Sequence, residues 1–166
     1  MLGAMPETLP EKLHIDFVCT GNICRSPMAE VIIRDKLERA GLGDKVRVSS
    51  SGIGGWHVGS PADERALHEL EEHGYDGSRH RAQQFGPAQQ DADLLVALDP
   101  RHVSELVARG VPEDKIRLMR SFDPASPEGA GIDDPYYGGA EGFSTTREQI
   151  EASADGIIGW VRVQLH

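Results

Sequence analysis

Apolar positions along the chain fall into short runs and helical stripes that alternate with one another. Leu13 to Cys19 (LHIDFVC) is a short apolar stretch suited to a strand, and Pro27 to Ala40 carries apolar residues at helical intervals up to a stop at Gly41. Lys45 to Ser51 alternates as a second strand. Ser60 to His73 (SPADERALHELEEH) predicts a helix with Ser60 as N-cap, Pro61 at the first helical position, Asp63 three after the serine, and Gly74 as the stop. The unbroken apolar run Asp93 to Leu98 predicts a strand buried on both faces. Asp99 to Arg109 follows as a helix ending at Gly110, and Lys115 to Met119 is a fourth strand. From Arg120 to Glu141 the chain is rich in Gly, Pro and Asp, a long irregular stretch of the kind that is functional or disordered. A last helix is expected from about Phe143 to Leu165, with Phe143, Ile150, Ala154, Ile157, Val161 and Leu165 on one face. Strands alternating with helices predict an α/β domain with a parallel sheet covered on both sides. Residues 1–12, with two prolines, three charges and no periodicity, read as a flexible arm ahead of a domain spanning 13–166.

Composition narrows the partners. At 166 residues one domain with a proper core is expected. With 17 Lys+Arg against 27 Asp+Glu the net charge is −10, so nucleic acid or an anionic membrane would be approached against the protein's own field, although one local anion pocket remains compatible with it. The start has no apolar run bounded by positive charge, and no stretch reaches the ~18 apolar residues needed to cross a bilayer. A soluble cytoplasmic protein without a signal peptide is expected. Two cysteines with four residues between them cannot staple distant parts of a fold, and such sparse usage suits a reducing compartment.

Both cysteines lie in VCTGNICRSP, residues 18–27, at the turn from the first strand to the first helix. That carboxyl edge of an open α/β sheet is where ligands bind, and a helix start adds unpaired N–H groups and the positive dipole end. Thr20-Gly21-Asn22-Ile23-Cys24 can curl so that successive amides point inward, with Gly21 and Asn22 most tolerant of unusual φ. The GKS or GKT of a nucleotide-binding loop is missing, and the first position is Cys19. Converging amides, a helix dipole and a guanidinium favour a cysteine thiolate. Arg25, six residues on, can return across the ring and grip two oxygens of a tetrahedral anion as a fork. A thiolate below and an arginine beside a caged anion describe in-line attack on phosphorus. Ser26 reads as the helix N-cap ahead of Pro27, with a hydroxyl that can also donate to Cys19.

VCTGNICRSP together with DPYYG at 134–138 resembles the low-molecular-weight protein tyrosine phosphatases, nearest to an actinobacterial branch, with similarity from about Leu13 to the final helix. The resemblance implies a flavodoxin-like four-stranded parallel sheet of order 2-1-3-4 with flanking helices. It also implies hydrolysis of phosphotyrosine through a phosphocysteine intermediate without metal or cofactor. By position, Cys19 matches the nucleophile, Arg25 the phosphate clamp, Ser26 the hydroxyl that steadies the thiolate, and Asp134 the general acid. Asn22 matches the loop asparagine, whose partners correspond to Ser51 and His73. Cys24 matches the neighbour that can form a reversible disulfide with the nucleophile, and Trp56, Tyr136 and Tyr137 match the cleft walls. The chain departs after DPYYG, where Gly139, Ala140 and Gly142 replace bulkier or charged residues, so peptide preference does not carry over.

The residues support this reading independently. An alkoxide or phenoxide departs poorly without a proton, and Asp134, held extended by Pro135, is placed to supply one. Trp56, Tyr136 and Tyr137 can stack on a flat aryl ester in a slot too deep for phosphoserine. Seven histidines lack zinc-ligand spacing to the cysteines, so no structural metal is expected. His57 reads as an exposed loop residue and the run Glu69–Glu72 as a solvated helix face. Arsenate reduction is disfavoured because no cysteine follows Cys24 to relay a disulfide. Protein arginine phosphatases tend to carry threonine where Ile23 stands, and a phosphate-binding module without turnover would lack the nucleophile, the clamp or the acid. The expected partners are tyrosine-phosphorylated proteins, with a tyrosine kinase acting on Tyr136 or Tyr137 as a further candidate, and the chain is expected to be a monomer.

Overall fold

The computed structural model describes residues 12–166, so the arm expected over 1–12 lies, but for Lys12, outside the described residues. Strand β1 (Leu13–Cys19) occupies the centre of the sheet, where its apolar side chains are covered on both faces. It pairs in parallel with β2 (Val46–Gly52), from Leu13 opposite Val46 to Cys19 opposite Gly52. Its other edge takes β3 (Leu94–Ala97), and β4 (Ile116–Leu118) pairs with β3, giving the order β2-β1-β3-β4.

The pleat sorts the core into two layers. Ile15, Phe17, Val46, Val48, Leu94 and Val96 face the long helices α1 (Arg25–Arg39) and α5 (Ala140–Gln164), where they meet Met28, Ile32, Leu37, Ile150 and Ile157. Val18, Leu95, Ala97 and Ile116 face the other way, against Leu106 of α4 (Pro100–Ala108) and the loop residues Phe85 and Val111. Helix α2 (Glu64–Glu72) packs beside α5, and α3 (Pro87–Gln90) is a single turn that the apolar pattern did not signal. Among the described residues no helix is long and apolar enough to cross a membrane.

Three local expectations are corrected. Helix α2 begins at Glu64, not at Ser60: the Ser60 carbonyl accepts from Ala82 N, and Asp63 is the cap, accepting from Arg65 N at 2.8 Å. Glu69 is buried rather than solvated, because α5 lays Ser144 and Arg147 across it, with Ser144 Oγ donating at 2.8 Å and Arg147 Nε at 2.5 Å. Leu165 is left exposed, since α5 ends at Gln164 and the buried stripe stops at Val161.

Candidate active site

The chain turns from β1 into α1 over five residues, 20–24, and Asn22 takes the left-handed conformation there with φ 58°. Asparagine tolerates that conformation better than other residues with a Cβ, and here its side chain is also tied down. Asn22 Nδ2 donates to Ser26 Oγ at 2.8 Å and to Ser50 Oγ at 2.9 Å, while Asn22 Oδ1 accepts from Gln83 N at 2.8 Å. His80 Nε2 donates to the Asn22 carbonyl at 2.7 Å. The partners implied for Asn22 at Ser51 and His73 are therefore Ser50 and His80. Ser51 Oγ points to the other face of the strand, where it donates to the buried Asp16 carboxylate at 2.7 Å. His73 ends α2 and turns back to Glu69, 3.3 Å away.

The end of β2 comes so close to the loop that a Cβ on Gly52 would lie 2.9 Å from Asn22 N and from Gly21 C. Glycine is needed there for packing rather than for conformation. The next two amides then hold the loop from that side, Ile53 N donating to Cys19 O and Gly54 N to Thr20 O, each at 2.9 Å.

Cys19 lies at the floor of a cleft of about 340 Å³ walled by Ile23, Trp56, His57, Tyr136 and Tyr137. Its Sγ is 2.8 Å from Ser26 Oγ. Ser26 is not the N-cap: α1 starts at Arg25 with Cys24 in the cap position, and Ser26 Oγ is committed to the site. That hydroxyl accepts from Asn22 and has one hydrogen to give, either to a Cys19 thiolate or to the Ser51 carbonyl 3.3 Å away. Sulfur and carbonyl are thus the two acceptors within its reach. Cys24 lines the same cleft, but burial, with Asp63, Cys19 and Asp134 nearby, pushes its thiol well up. It stays protonated.

Arg25 is 3% exposed and fixed by groups the sequence analysis did not single out. Its Nη1 donates to Asp99 Oδ2 at 2.6 Å and to Ile132 O at 2.8 Å, leaving Nη2 toward the cleft. Burial alone would raise the Asp99 carboxyl, but the hydrogen bond and positive charge of Arg25 and the Arg101 amide act together against it, and the group is held below the usual carboxylate range. A buried arginine with a fixed carboxylate partner presents its fork in one orientation. In the sequence Asp99 stood only as the first residue of the helix expected over Asp99–Arg109; in the structure it caps that helix, accepting from Arg101 N at 2.8 Å.

Asp134 sits on the rim, with Oδ2 3.7 Å from Arg25 Nη2 and Oδ1 accepting from Tyr136 N at 3.1 Å. Asp133 is exposed and turned to the neighbouring surface. The loop bearing Asp134 is tethered by Arg65 at the start of α2, whose Nη1 donates to Tyr136 O at 3.1 Å and Gly138 O at 3.3 Å. Arg65 also pairs with Asp63 at 3.0 Å, and the Asp63 amide donates to Ile23 O, so one residue pair spans the loop of Cys19 and the loop of Asp134. Trp56 is 74% exposed and Tyr137 is 87% exposed, an open mouth that admits a ring attached to a protein. His57, expected as an exposed loop residue, is half-buried against Gly21 and forms part of the wall.

The family described as low molecular weight phosphotyrosine protein phosphatase matches residues 14–165. Low molecular weight protein-tyrosine phosphatase A of Mycobacterium tuberculosis is 49% identical over 158 residues, covering 95% of this chain and 96% of that protein. The low molecular weight protein-tyrosine-phosphatase of Streptomyces coelicolor is 48% identical over 158 residues, covering 92% and 95%. Among solved structures, YfkJ from Bacillus subtilis superposes with a TM-score of 0.87 at 29% identity, covering 94% of this chain and 98% of that one. The match over nearly the whole chain, on a sheet of the same kind and with the loop of Cys19 at its carboxyl edge, means that the chain belongs to the low-molecular-weight phosphotyrosine protein phosphatase family.

Proposed function

We propose that the chain hydrolyses phosphotyrosine in proteins, and small aryl phosphates, in two steps through a cysteinyl phosphate. The observation that carries this reading is the convergence on one cleft of Cys19 Sγ at its floor, Arg25 at its side and Asp134 on its rim. In the first step Cys19 attacks phosphorus in line with the P–O bond to tyrosine, while the loop amides and Arg25 hold the remaining oxygens. Asp134 gives its proton to the leaving phenolate oxygen. In the second step the same carboxylate takes a proton from water, which attacks the phosphocysteine and releases inorganic phosphate and the Cys19 thiolate. The walls of Trp56, Tyr136 and Tyr137 support an aryl ester over a shorter alkyl one.

The partners are then tyrosine-phosphorylated proteins, acted on by a monomer in a reducing cytoplasm that keeps both thiols free. Exposed Tyr137, and Tyr136 beside it, are open to a tyrosine kinase. Cys24, which lines the same cleft, is read as the thiol that closes a reversible disulfide on Cys19 under peroxide.

Turnover of a phosphotyrosine peptide and of 4-nitrophenyl phosphate, with chelator and thiol present, tests the reading. Cys19→Ser abolishes it, and Asp134→Asn binds substrate but forms phosphoenzyme slowly. A normal burst from Asp134→Asn removes Asp134 from the acid role, and faster cleavage of phosphoarginine than of phosphotyrosine redirects the substrate assignment.

A further inference from the structure

His102 stands in the first turn of α4, 3% exposed, far from Thr20 in sequence but in contact with it in space. Its two ring nitrogens have different partners. The backbone N–H of Asp99 approaches Nδ1 at 3.2 Å, and an amide N–H can only donate, so Nδ1 is the unprotonated nitrogen. The proton of the neutral ring is therefore on Nε2, which lies 2.9 Å from Thr20 Oγ1 and donates to it. Burial pushes the His102 pKa down to about 4, against the pull of Asp99, so the neutral ring is the form at physiological pH. Arg25 Nη2 donates to the same Thr20 oxygen at 3.3 Å.

A threonine hydroxyl has two lone pairs and one hydrogen. Both lone pairs of Thr20 Oγ1 are taken, by Nε2–H of His102 and by Nη2–H of Arg25. Among the described residues no acceptor receives its hydrogen, and Thr20 lines the cleft above Cys19. The hydrogen is thus turned toward whatever occupies the cleft on the Arg25 side.

Resting on the phosphatase reading, we propose that Thr20 is a further catalytic residue whose hydroxyl donates to a phosphoryl oxygen beside Arg25. His102 is its positioning residue. The sequence had offered Thr20 only as one amide of the ring. Here it becomes a side-chain donor whose direction is dictated by a neutral imidazole anchored on the backbone of Asp99. A fixed donor aimed at an anion loses no orientational freedom when the transition state forms, and a hydrogen bond to a charged acceptor is worth about 10- to 100-fold in affinity or rate.

The test compares wild type with Thr20→Val, which keeps the shape and lacks the hydroxyl, Thr20→Ser, which restores it, His102→Phe, and the double variant Thr20→Val/His102→Phe. Steady-state kinetics on 4-nitrophenyl phosphate and phosphotyrosine are combined with calorimetric binding of inorganic phosphate. Thr20→Val is expected to lose about 10- to 100-fold in kcat/KM on both substrates and to bind phosphate more weakly, while Thr20→Ser stays within about threefold of wild type. His102→Phe loses activity toward the Thr20→Val level, and the double variant loses no more than the worse single one, because the ring acts through the hydroxyl. Thr20→Val within twofold of wild type in both rate and phosphate affinity overturns the proposal, as do fully additive losses in the double variant. Phosphate binding separates the two readings: a wild type that does not turn over, yet loses phosphate affinity in Thr20→Val, defeats the phosphatase reading and leaves the donor assignment standing.

Discussion

The nucleophile loop and the acid loop face each other across one cleft, yet they are built in opposite ways. In the first, Cys19, Asn22, Cys24, Arg25 and Ser26 are all buried, and almost every polar group has a partner on a neighbouring strand, helix or loop. In the second, Asp133, Tyr136 and Tyr137 are exposed, and Arg65 holds two of its carbonyls from outside. On the proposed mechanism the difference follows from what each must do. Holding a dianion requires donors and charges that are already in place, because reorganising them during the reaction would cost the stabilisation they provide. Delivering a proton to the leaving group of a protein-bound ester requires access, and a rim that is packed shut would exclude the substrate. Stability is therefore concentrated behind the sulfur and spared around the carboxylate.

The largest effect expected from breaking this contrast comes from Arg25→Lys. The charge survives, but the fork that meets Asp99, Ile132 and Thr20 at once does not, so kcat on 4-nitrophenyl phosphate should fall by about 10³-fold. A loss below tenfold would mean that the fixed geometry of the clamp matters little.

Next is Asn22, the pivot of the rigid side. Asn22→Ala leaves the Gln83 amide without its partner and places a Cβ at φ 58° with no compensating bonds, for a loss of about 3 kcal/mol in urea unfolding. Asn22→Gly loses the same hydrogen bonds but carries no Cβ at that φ, and should recover about 1 kcal/mol of that. Equal stabilities of the two variants would show that backbone strain contributes nothing.

The rigid side also carries titrating groups of opposite sign. His102 has its pKa lowered to about 4 by burial, so the folded protein resists a proton that the unfolded chain accepts below about 6.5. Stability from this group is full above pH 6.5 and is lost as pH falls toward 4. Asp16, with its pKa raised to about 6 by burial despite bonds from Ser49 and Ser51, works the other way: its folded state takes up a proton first, and stability rises as pH falls from about 6 toward 3.8. In His102→Asn the His102 part is gone, and the loss of unfolding free energy between pH 7 and pH 5 should shrink by about 2 kcal/mol. An unchanged pH dependence would contradict the neutral, buried imidazole.

The smallest effect belongs to the exposed side. Arg65→Met leaves the acid loop without its tether but touches neither sulfur nor clamp. Phosphotyrosine, whose leaving group needs the proton, should lose about tenfold, and 4-nitrophenyl phosphate, whose leaving group does not, less than about threefold. Equal losses on both substrates would make Arg65 a general structural support rather than a tether of the acid.

The two sides also differ in how far they could be read from the chain. The strands at Leu13–Cys19 and Lys45–Ser51, the long final helix and the parallel sheet were legible because burial imposes periods of two and 3.6 on apolar positions. Cys19, Arg25 and Ser26 were legible because eight consecutive positions close one ring, so spacing alone brings them together. Asp99 and His102 were not. Each looks like part of an ordinary helix start, and only the placement of β3 beside β1 carries them to Arg25 and Thr20. The partners of Asn22 were misassigned for the same reason. Adjacent residues of a strand point to opposite faces, so choosing Ser51 over Ser50 selects the wrong side of the sheet, and choosing His73 over His80 selects the end of a helix in place of the segment that runs behind the loop.

By itself, then, the sequence determined the secondary-structure periods, the closed ring of residues 19–26 and the presence of a carboxylate before a proline in a glycine-rich stretch. Those are properties of neighbours along the chain, set by local geometry and by which side chains seek burial. The tertiary structure decided what stands behind the ring: the carboxylate that orients Arg25, the imidazole whose proton sits on Nε2, the strand end so close that only Gly52 fits, and the arginine that tethers the acid loop. No local pattern encodes these contacts, because each depends on the register between strands and on loops that meet only when the core has closed.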